Sequence, residues 1–199
     1  MNLDLRQTRT LVISCQDQPH RRHNIQSQLS RVGMQCEFVE GIRCQPGVVG
    51  CALSHLKILT RFADELPFIV LEDDCSVAAS FAALLDVPVE ADIVYLGVSI
   101  WGVFPEVHPY GIPMGSVATR HDDHWLRLHN MLSTHALLYV TPAMVQRARD
   151  AIVKSLIDSS PLTWDLRCFR RISLRSRRTS RASFRMPAFA VRKKLRGSD

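Results

Sequence analysis

The chain has no long hydrophobic run and few aromatic residues, and both shortages limit what it can be. None of its apolar stretches approaches the roughly 18 residues that a membrane-spanning helix needs. Aromatic residues make up 7% of the 199 residues, whereas apolar residues as a whole reach 46% and charged residues 22%. This balance is typical of a folded globular protein and excludes a wholly disordered, collagen-like or coiled-coil chain.

The six cysteines lack the spacing of a metal or redox motif. No two of them are separated by two residues, so neither a zinc ribbon nor a dithiol motif is predicted. The first residues are polar and carry no secretory signal, so we expect the chain to stay in the reducing cytoplasm, where disulfides do not persist. We therefore interpret the cysteines as mostly small buried side chains.

Positive charge is scarce in most of the chain and concentrated near its end. Residues 1–166 contain 13 Lys and Arg against 18 Asp and Glu, a net charge of −5. Residues 167–199 contain 12 Lys and Arg against one Asp, a net charge of +11. We interpret 1–166 as a folded domain and 167–199 as a basic, arginine-rich segment. Such a segment attracts phosphate groups, for example those of an anionic membrane, and a solvated arm is the alternative.

Short apolar runs alternate with segments of helical periodicity along most of the chain. The runs predict strands at residues 10–15, 36–39, 68–71, 93–96 and 136–140. The periodic segments predict helices at residues 19–32, 51–63, 80–85 and 142–156. Residues 41–50 and the proline- and glycine-broken stretch 100–131 are predicted to be loops. The alternation predicts a three-layer α/β/α domain with a mainly parallel central sheet.

Three adjacent carboxylates, Glu72, Asp73 and Asp74, end the entirely apolar run at 68–71. Ligands of open α/β sheets bind at the carboxyl ends of the strands. Carboxylate oxygens suit Mg²⁺ or Mn²⁺, which can bridge to a nucleotide diphosphate. Glu72 points to the opposite face from Asp73 if the strand continues, which would make it structural. The alternative for the cluster is an acidic N-cap of a following helix.

Several motifs together resemble glycosyltransferase family 25, the lipopolysaccharide and lipooligosaccharide sugar transferases related to collagen galactosyltransferases. The resemblance covers about residues 10–165. It is carried by the following motifs: Ile13-Ser14, the arginine pair Arg21-Arg22, Gly50-Cys51-x-x-Ser54-His55, Leu71-Glu72-Asp73-Asp74, Asp92 with Leu96-Gly97, Thr134-His135-Ala136 with Tyr139, and Pro161 with Asp165.

The resemblance implies a GT-A-like domain at 1–166 and an inverting, metal-dependent transfer of sugar from a nucleotide-sugar donor, most simply a UDP-sugar. The acceptor would be a saccharide or glycolipid of lipopolysaccharide or another cell-surface glycan, and nucleic acid is not an expected partner. A divalent metal, Mn²⁺ or Mg²⁺, would be bound by Asp73 and Asp74. Asp74 and Asp165 would be catalytic, the latter as the base. The donor would be bound by Ser14, Arg21, Arg22, Ser54, His55 and His135.

Other interpretations of the same residues stay open. A degenerate, non-catalytic relative could bind a nucleotide sugar or an anionic surface, and a metal-dependent phosphohydrolase could use the same carboxylates. His55 and His135 could be packed core histidines, and Arg21 and Arg22 the solvated start of a helix. The His-Asp-Asp-His run at 121–124 looks like a metal cluster but is more simply a solvent-facing loop. We expect a cytoplasmic protein with peripheral contact to the inner face of a membrane through residues 167–199.

Overall fold

Apolar runs that alternate with helices become the strands of one central sheet. The structure, a computed structural model, describes residues 1–97, 106–107, 113–114, 118–128, 134–158 and 188–190. Its helices are α1 (Pro19–Arg31), α2 (Gly47–Arg61) and α3 (Pro142–Asp158). Its strands are β1 (Asn2–Asp4), β2 (Arg9–Ser14), β3 (Glu37–Glu40), β4 (Phe68–Glu72), β5 (Leu84–Asp86), β6 (Ile93–Tyr95), β7 (Glu106–Val107), β8 (Pro113–Met114), β9 (Ala118–Arg120), β10 (Leu126–Leu128), β11 (Ala136–Tyr139) and β12 (Ala188–Ala190).

The central sheet has mixed strand directions, which corrects the prediction of a mainly parallel sheet. Its order is β3-β2-β4-β11-β6, followed by β12, β10 and β9. Strand β2 is parallel to β3 and β4, whereas β11 is antiparallel to both β4 and β6. Strand β11 thus lies between β4 and β6 and runs opposite to both, which breaks the parallel pattern that β2, β3 and β4 begin. The fold is therefore mixed α/β.

Helices cover both faces of this sheet. The side chains of Val12, Ile69 and Leu138 share one apolar cluster with Ile25 and Leu29 of α1. The alternate residues Leu11, Val70 and Leu137 face the other side and pack with residues of α2 and α3, including Ile58, Leu59 and Val145. Because successive strand residues point to opposite faces, the apolar run of β4 is buried on both sides.

Helix α1 begins and ends where its sequence indicates. Pro19 occupies the first turn, where the missing amide hydrogen costs nothing. At the other end Gly33 adopts a φ of 78°, and the amides of Gly33 and Met34 donate to the carbonyls of Ser30 and Leu29. This is a Schellman cap, and it satisfies the last carbonyls of the helix.

Three local predictions are wrong. The predicted helix at 80–85 is absent, and β5 instead pairs antiparallel with β1. Helix α2 begins at Gly47, so the last four residues of the predicted loop at 41–50 are helical. Short strands β7 to β10 lie within the stretch predicted to be a loop at 100–131. At β5 the pairing with distant β1 outweighs the local periodicity, whereas β7 pairs with β8 and β9 with β10 despite the prolines and glycines nearby.

The basic segment at 167–199 contributes β12, which is parallel to β6 and antiparallel to β10. Three of its residues therefore belong to the same sheet as the rest of the chain. Its arginines lie outside the described residues, so its predicted affinity for phosphate stays a prediction. None of the helices in the described part of the chain combines the length and apolarity that crossing a membrane requires.

Candidate functional site

The carboxyl ends of β2 and β4 bring together residues that are far apart in sequence. The Ser14 hydroxyl donates a hydrogen bond to Asp73 Oδ2 at 2.8 Å. Arg21 Nη1 lies 3.4 Å from the other carboxylate oxygen of Asp73. Because β2 and β4 are parallel, the residues that end them meet at one edge of the sheet, and α1 supplies Arg21 above it. Ser14, Arg21 and Asp73 therefore form one cluster, as residues of a shared site would.

Arg22 belongs to the same edge but is largely held by protein groups. One of its terminal nitrogens donates to the Ser14 carbonyl at 3.2 Å and lies 3.4 Å from Glu40. The guanidinium carbon also lies 4.8 Å from the centre of the Phe38 ring. Arg22 thus connects α1 to β2 and β3. The side chain of Arg21 is 48% exposed and is therefore accessible to a ligand.

Asp74 is exposed in the turn after β4 and has no hydrogen-bond or ion-pair partner among the described residues. The N-cap alternative for the acidic cluster is wrong, because residues 73–92 contain no helix. Within the residues that the structure describes, Asp73 and Glu72 do not share contacts. Asp73 contacts Ser14 and Arg21, whereas Glu72 contacts residues of α2 and the segment before β11.

Glu72 is the centre of a second cluster, on the opposite face of β4. His55 Nε2 lies 3.2 Å from Glu72 Oε1, and the Thr134 hydroxyl donates to the same oxygen at 2.7 Å. The Cys51 thiol also approaches that oxygen, at 3.9 Å. The backbone amide of Glu72 donates to the His135 carbonyl at 2.9 Å, which fixes the strand end. The sequence argument that Glu72 points away from Asp73 agrees with these contacts.

The electrostatics of this cluster follow from its burial. Burial by itself raises the pKa of Glu72, but the hydrogen bonds from His55 and Thr134 and the charge of His55 outweigh it, so the pKa lies below its usual value. Burial, together with the charge of Glu72, raises the pKa of the Cys51 thiol to about 12. Glu72 is therefore the acceptor at the centre of the cluster, and Cys51 is a donor while it carries its proton.

Helix α2 places four motif residues on two of its sides. Cys51 and His55 are one turn apart and face Glu72. Gly50 and Ser54 are likewise one turn apart and face the chain at 42–44. The Ser54 hydroxyl donates to the Gly50 carbonyl at 2.7 Å and accepts from the Ile42 amide at 2.8 Å. The Ser54 hydroxyl thus both donates to and accepts from backbone groups. Ser54 was predicted to bind the nucleotide-sugar donor.

We expect Gly50→Ala to destabilise the protein while Gly47→Ala does not. A methyl group at Gly50 would clash with the Ile42 carbonyl oxygen, whereas one at Gly47 would meet no atom within 4 Å. Overpacking against backbone costs about 1–3 kcal/mol, more than the roughly 1 kcal/mol that alanine gains in a helix. Urea unfolding of the two variants measures the difference, and equal stabilities would contradict this close packing.

His135 lies at the same edge, because antiparallel β11 starts where β4 ends. A methyl group at Gly97 would come within 2.9 Å of His135 Nε2, so the glycine makes room for the imidazole. The His135 carbonyl also accepts from the Cys75 thiol. His135 is half-buried, and its charge helps to lower the pKa of Glu72. The predicted contact of His135 with the nucleotide-sugar donor stays a prediction.

The remaining sequence candidates lie elsewhere. Asp165, the predicted base, lies outside the described residues. In the His-Asp-Asp-His run, Asp122 accepts from the backbone amides of His124 and Trp125, and these bonds lower the pKa of Asp122. The run therefore forms the turn between β9 and β10. Trp125 donates to the Asp86 carbonyl at 3.0 Å and packs on the core, so it anchors this segment.

Within the described ranges, one group of three side chains has the geometry to hold a metal ion. It consists of Cys51, His55 and Glu72, whose ligand atoms all lie within 4.8 Å of one another. Sequence reasoning treated Cys51 as a small buried residue and Glu72 as structural. The i, i+4 spacing of Cys51 and His55 is the signal that could have placed them on one face.

Comparison of the chain with models of known protein families and with curated proteins gives no match.

Proposed function

We propose that the chain transfers a sugar from a nucleotide-sugar donor, a UDP-sugar in the simplest case, to a saccharide or glycolipid acceptor of a cell-surface glycan. The observation that carries the proposal is the cluster of Ser14, Arg21 and Asp73 at the carboxyl ends of two parallel strands, with Asp74 exposed beside it. In α/β sheets this edge is where ligands bind. The motifs shared with glycosyltransferase family 25 support the same choice of ligand.

The residues at this edge suit a diphosphate held through a divalent ion. Asp73 and Asp74 offer carboxylate oxygens, which are the ligands of Mg²⁺ and Mn²⁺. When bound there, such an ion would neutralise the charge of the departing nucleoside diphosphate. Ser14 orients Asp73 by its hydrogen bond, and Arg21 adds a positive charge on the same side.

Inversion at the sugar carbon requires an acceptor hydroxyl to attack from the side opposite the leaving diphosphate, while a carboxylate takes its proton. Asp165 is our proposed base, on the resemblance alone. In this proposal the protein works at the cytoplasmic face of a membrane, where residues 167–199 would meet anionic headgroups.

A screen of nucleotide sugars tests this function on the full chain. We expect one of them to raise the melting temperature by about 5–10 °C at saturation, and only with Mn²⁺ or Mg²⁺, because ligand at 100 times its Kd stabilises by about 2.7 kcal/mol. Release of nucleoside diphosphate should then require a saccharide acceptor. Release without any acceptor would support the phosphohydrolase alternative, and binding without turnover would support a binding protein.

A further inference from the structure

The cluster around Glu72 is separate from the cluster of Ser14, Arg21 and Asp73, although the two adjoin along β4. It contains His55, which the resemblance implied as a donor-binding residue but which contacts Glu72 instead. Asp73 contacts Ser14 and Arg21, whereas Glu72 contacts His55 and Thr134 on the other face. We propose that Cys51, His55 and Glu72 form a second metal site, which takes Zn²⁺ or a cation of similar softness. This site goes beyond the proposed sugar transfer and does not depend on it.

The distances between the three ligand atoms fit a small tetrahedral ion. Zinc binds sulfur at about 2.3 Å and nitrogen or oxygen at about 2.0–2.2 Å, which places tetrahedral ligand atoms about 3.3–3.7 Å apart. His55 Nε2 and Glu72 Oε1 are 3.2 Å apart, and Cys51 Sγ and Glu72 Oε1 are 3.9 Å apart. These two separations lie within a few tenths of an ångström of the tetrahedral range, and the Cys51 and His55 ligand atoms lie within 4.8 Å of each other.

The chemistry of the three ligands selects the class of metal. A thiolate with an imidazole and a carboxylate suits zinc, whereas Mg²⁺ and Mn²⁺ prefer oxygen ligands alone. The two faces of β4 would then bind different metals, a hard cation at Asp73 and Asp74 and a borderline cation at Glu72. Binding forms a metal–sulfur bond as the Cys51 thiol proton passes to solvent.

The elements that carry the ligands are already fixed in place. Cys51 and His55 lie on one side of α2, and Gly50 and Ser54 hold that helix against Ile42. The Thr134 hydroxyl donates to Glu72 Oε1 and would orient the carboxylate toward the ion, as groups around metal ligands commonly do. Three protein ligands leave a fourth position for water or another oxygen. A bound ion would thus tie α2 to the end of β4, one residue before Asp73.

Titration of the chelator-treated full chain with Co²⁺ and with Zn²⁺, without nucleotide, tests the site. We expect one equivalent of Co²⁺ to give a thiolate-to-cobalt charge-transfer band, which Zn²⁺ abolishes by displacement. Cys51→Ser should lose this band and bind Zn²⁺ at least about tenfold more weakly, because losing even a partner of a metal ligand costs about 10–100-fold in affinity. Glu72→Gln should weaken Zn²⁺ binding while keeping the band.

Cys44→Ser is the matched control, because Cys44 is another free cysteine outside the cluster. It should retain both the band and the affinity. A band of equal intensity in Cys51→Ser, or its loss in Cys44→Ser, would overturn the proposal. Circular dichroism in the presence of chelator establishes that each variant is folded. The absence of a cobalt–thiolate band in the wild-type protein would also overturn the proposal. Failure to bind a nucleotide sugar would leave this result unaffected.

Discussion

Replacing Asp74 by Asn is expected to weaken Mn²⁺-dependent binding of a nucleoside diphosphate at least about tenfold, which corresponds to about 1.4 kcal/mol. Asp74 is exposed and has no partner among the described residues, so the substitution removes one negative charge and little else. Asp73→Asn should weaken binding too, but it also disturbs contacts with Ser14 and Arg21. Asp74→Asn is therefore the cleaner test of whether these carboxylates bind the metal ion.

Calorimetric titration with nucleoside diphosphate and Mn²⁺ gives the affinity, and thermal unfolding without metal gives the stability. We expect the stability of Asp74→Asn to be unchanged or slightly higher, because one like-charge repulsion disappears. Asp64→Asn is the matched control, since Asp64 is exposed and precedes β4 at the opposite end of the strand. Wild-type affinity in both Asp73→Asn and Asp74→Asn would remove the metal assignment and most of the proposed transferase mechanism.

Leu138→Ala is expected to lower the free energy of unfolding by about 2–5 kcal/mol and the melting temperature by about 4–20 °C. Leu138 is fully buried in β11, which pairs with β4 on one side and β6 on the other. Its side chain packs with Ile25 and Leu29 of α1, so truncation leaves a cavity between sheet and helix.

Leu84→Ala provides the comparison, because the Leu84 side chain is 70% exposed on β5. Surface substitutions of this kind usually change stability by less than about 0.5 kcal/mol. Denaturant unfolding followed by circular dichroism measures both variants. A cost at Leu138 no larger than that at Leu84 would contradict the central position of β11.

Local sequence was sufficient to predict the three helices of the described residues and five strands of the central sheet. Helix α1 was predictable because Pro19 and Gly33 act on their own backbone, the first through its fixed φ and the second through its positive φ. Strand β4 was predictable because an uninterrupted apolar run suits a position buried on both faces. The family resemblance implied that Ser14, Arg21 and Asp73 would share a site, and in the structure Ser14 and Arg21 both contact Asp73.

The direction of β11, the pairing of β1 with β5 and the second cluster were decided only by the tertiary structure. A strand's residues determine that it is extended, but its partner and direction depend on contacts with distant segments. Glu72 meets Thr134 across 62 positions of sequence, and it meets His55 only because α2 packs against the sheet. Periodicity could place Cys51 and His55 on one side of a helix, but not the carboxylate that they face. The sequence alone therefore determined the three helices, the five strands from β3 to β6 in the sheet order and one edge of that sheet, whereas packing across the sheet determined which side chains could share an ion.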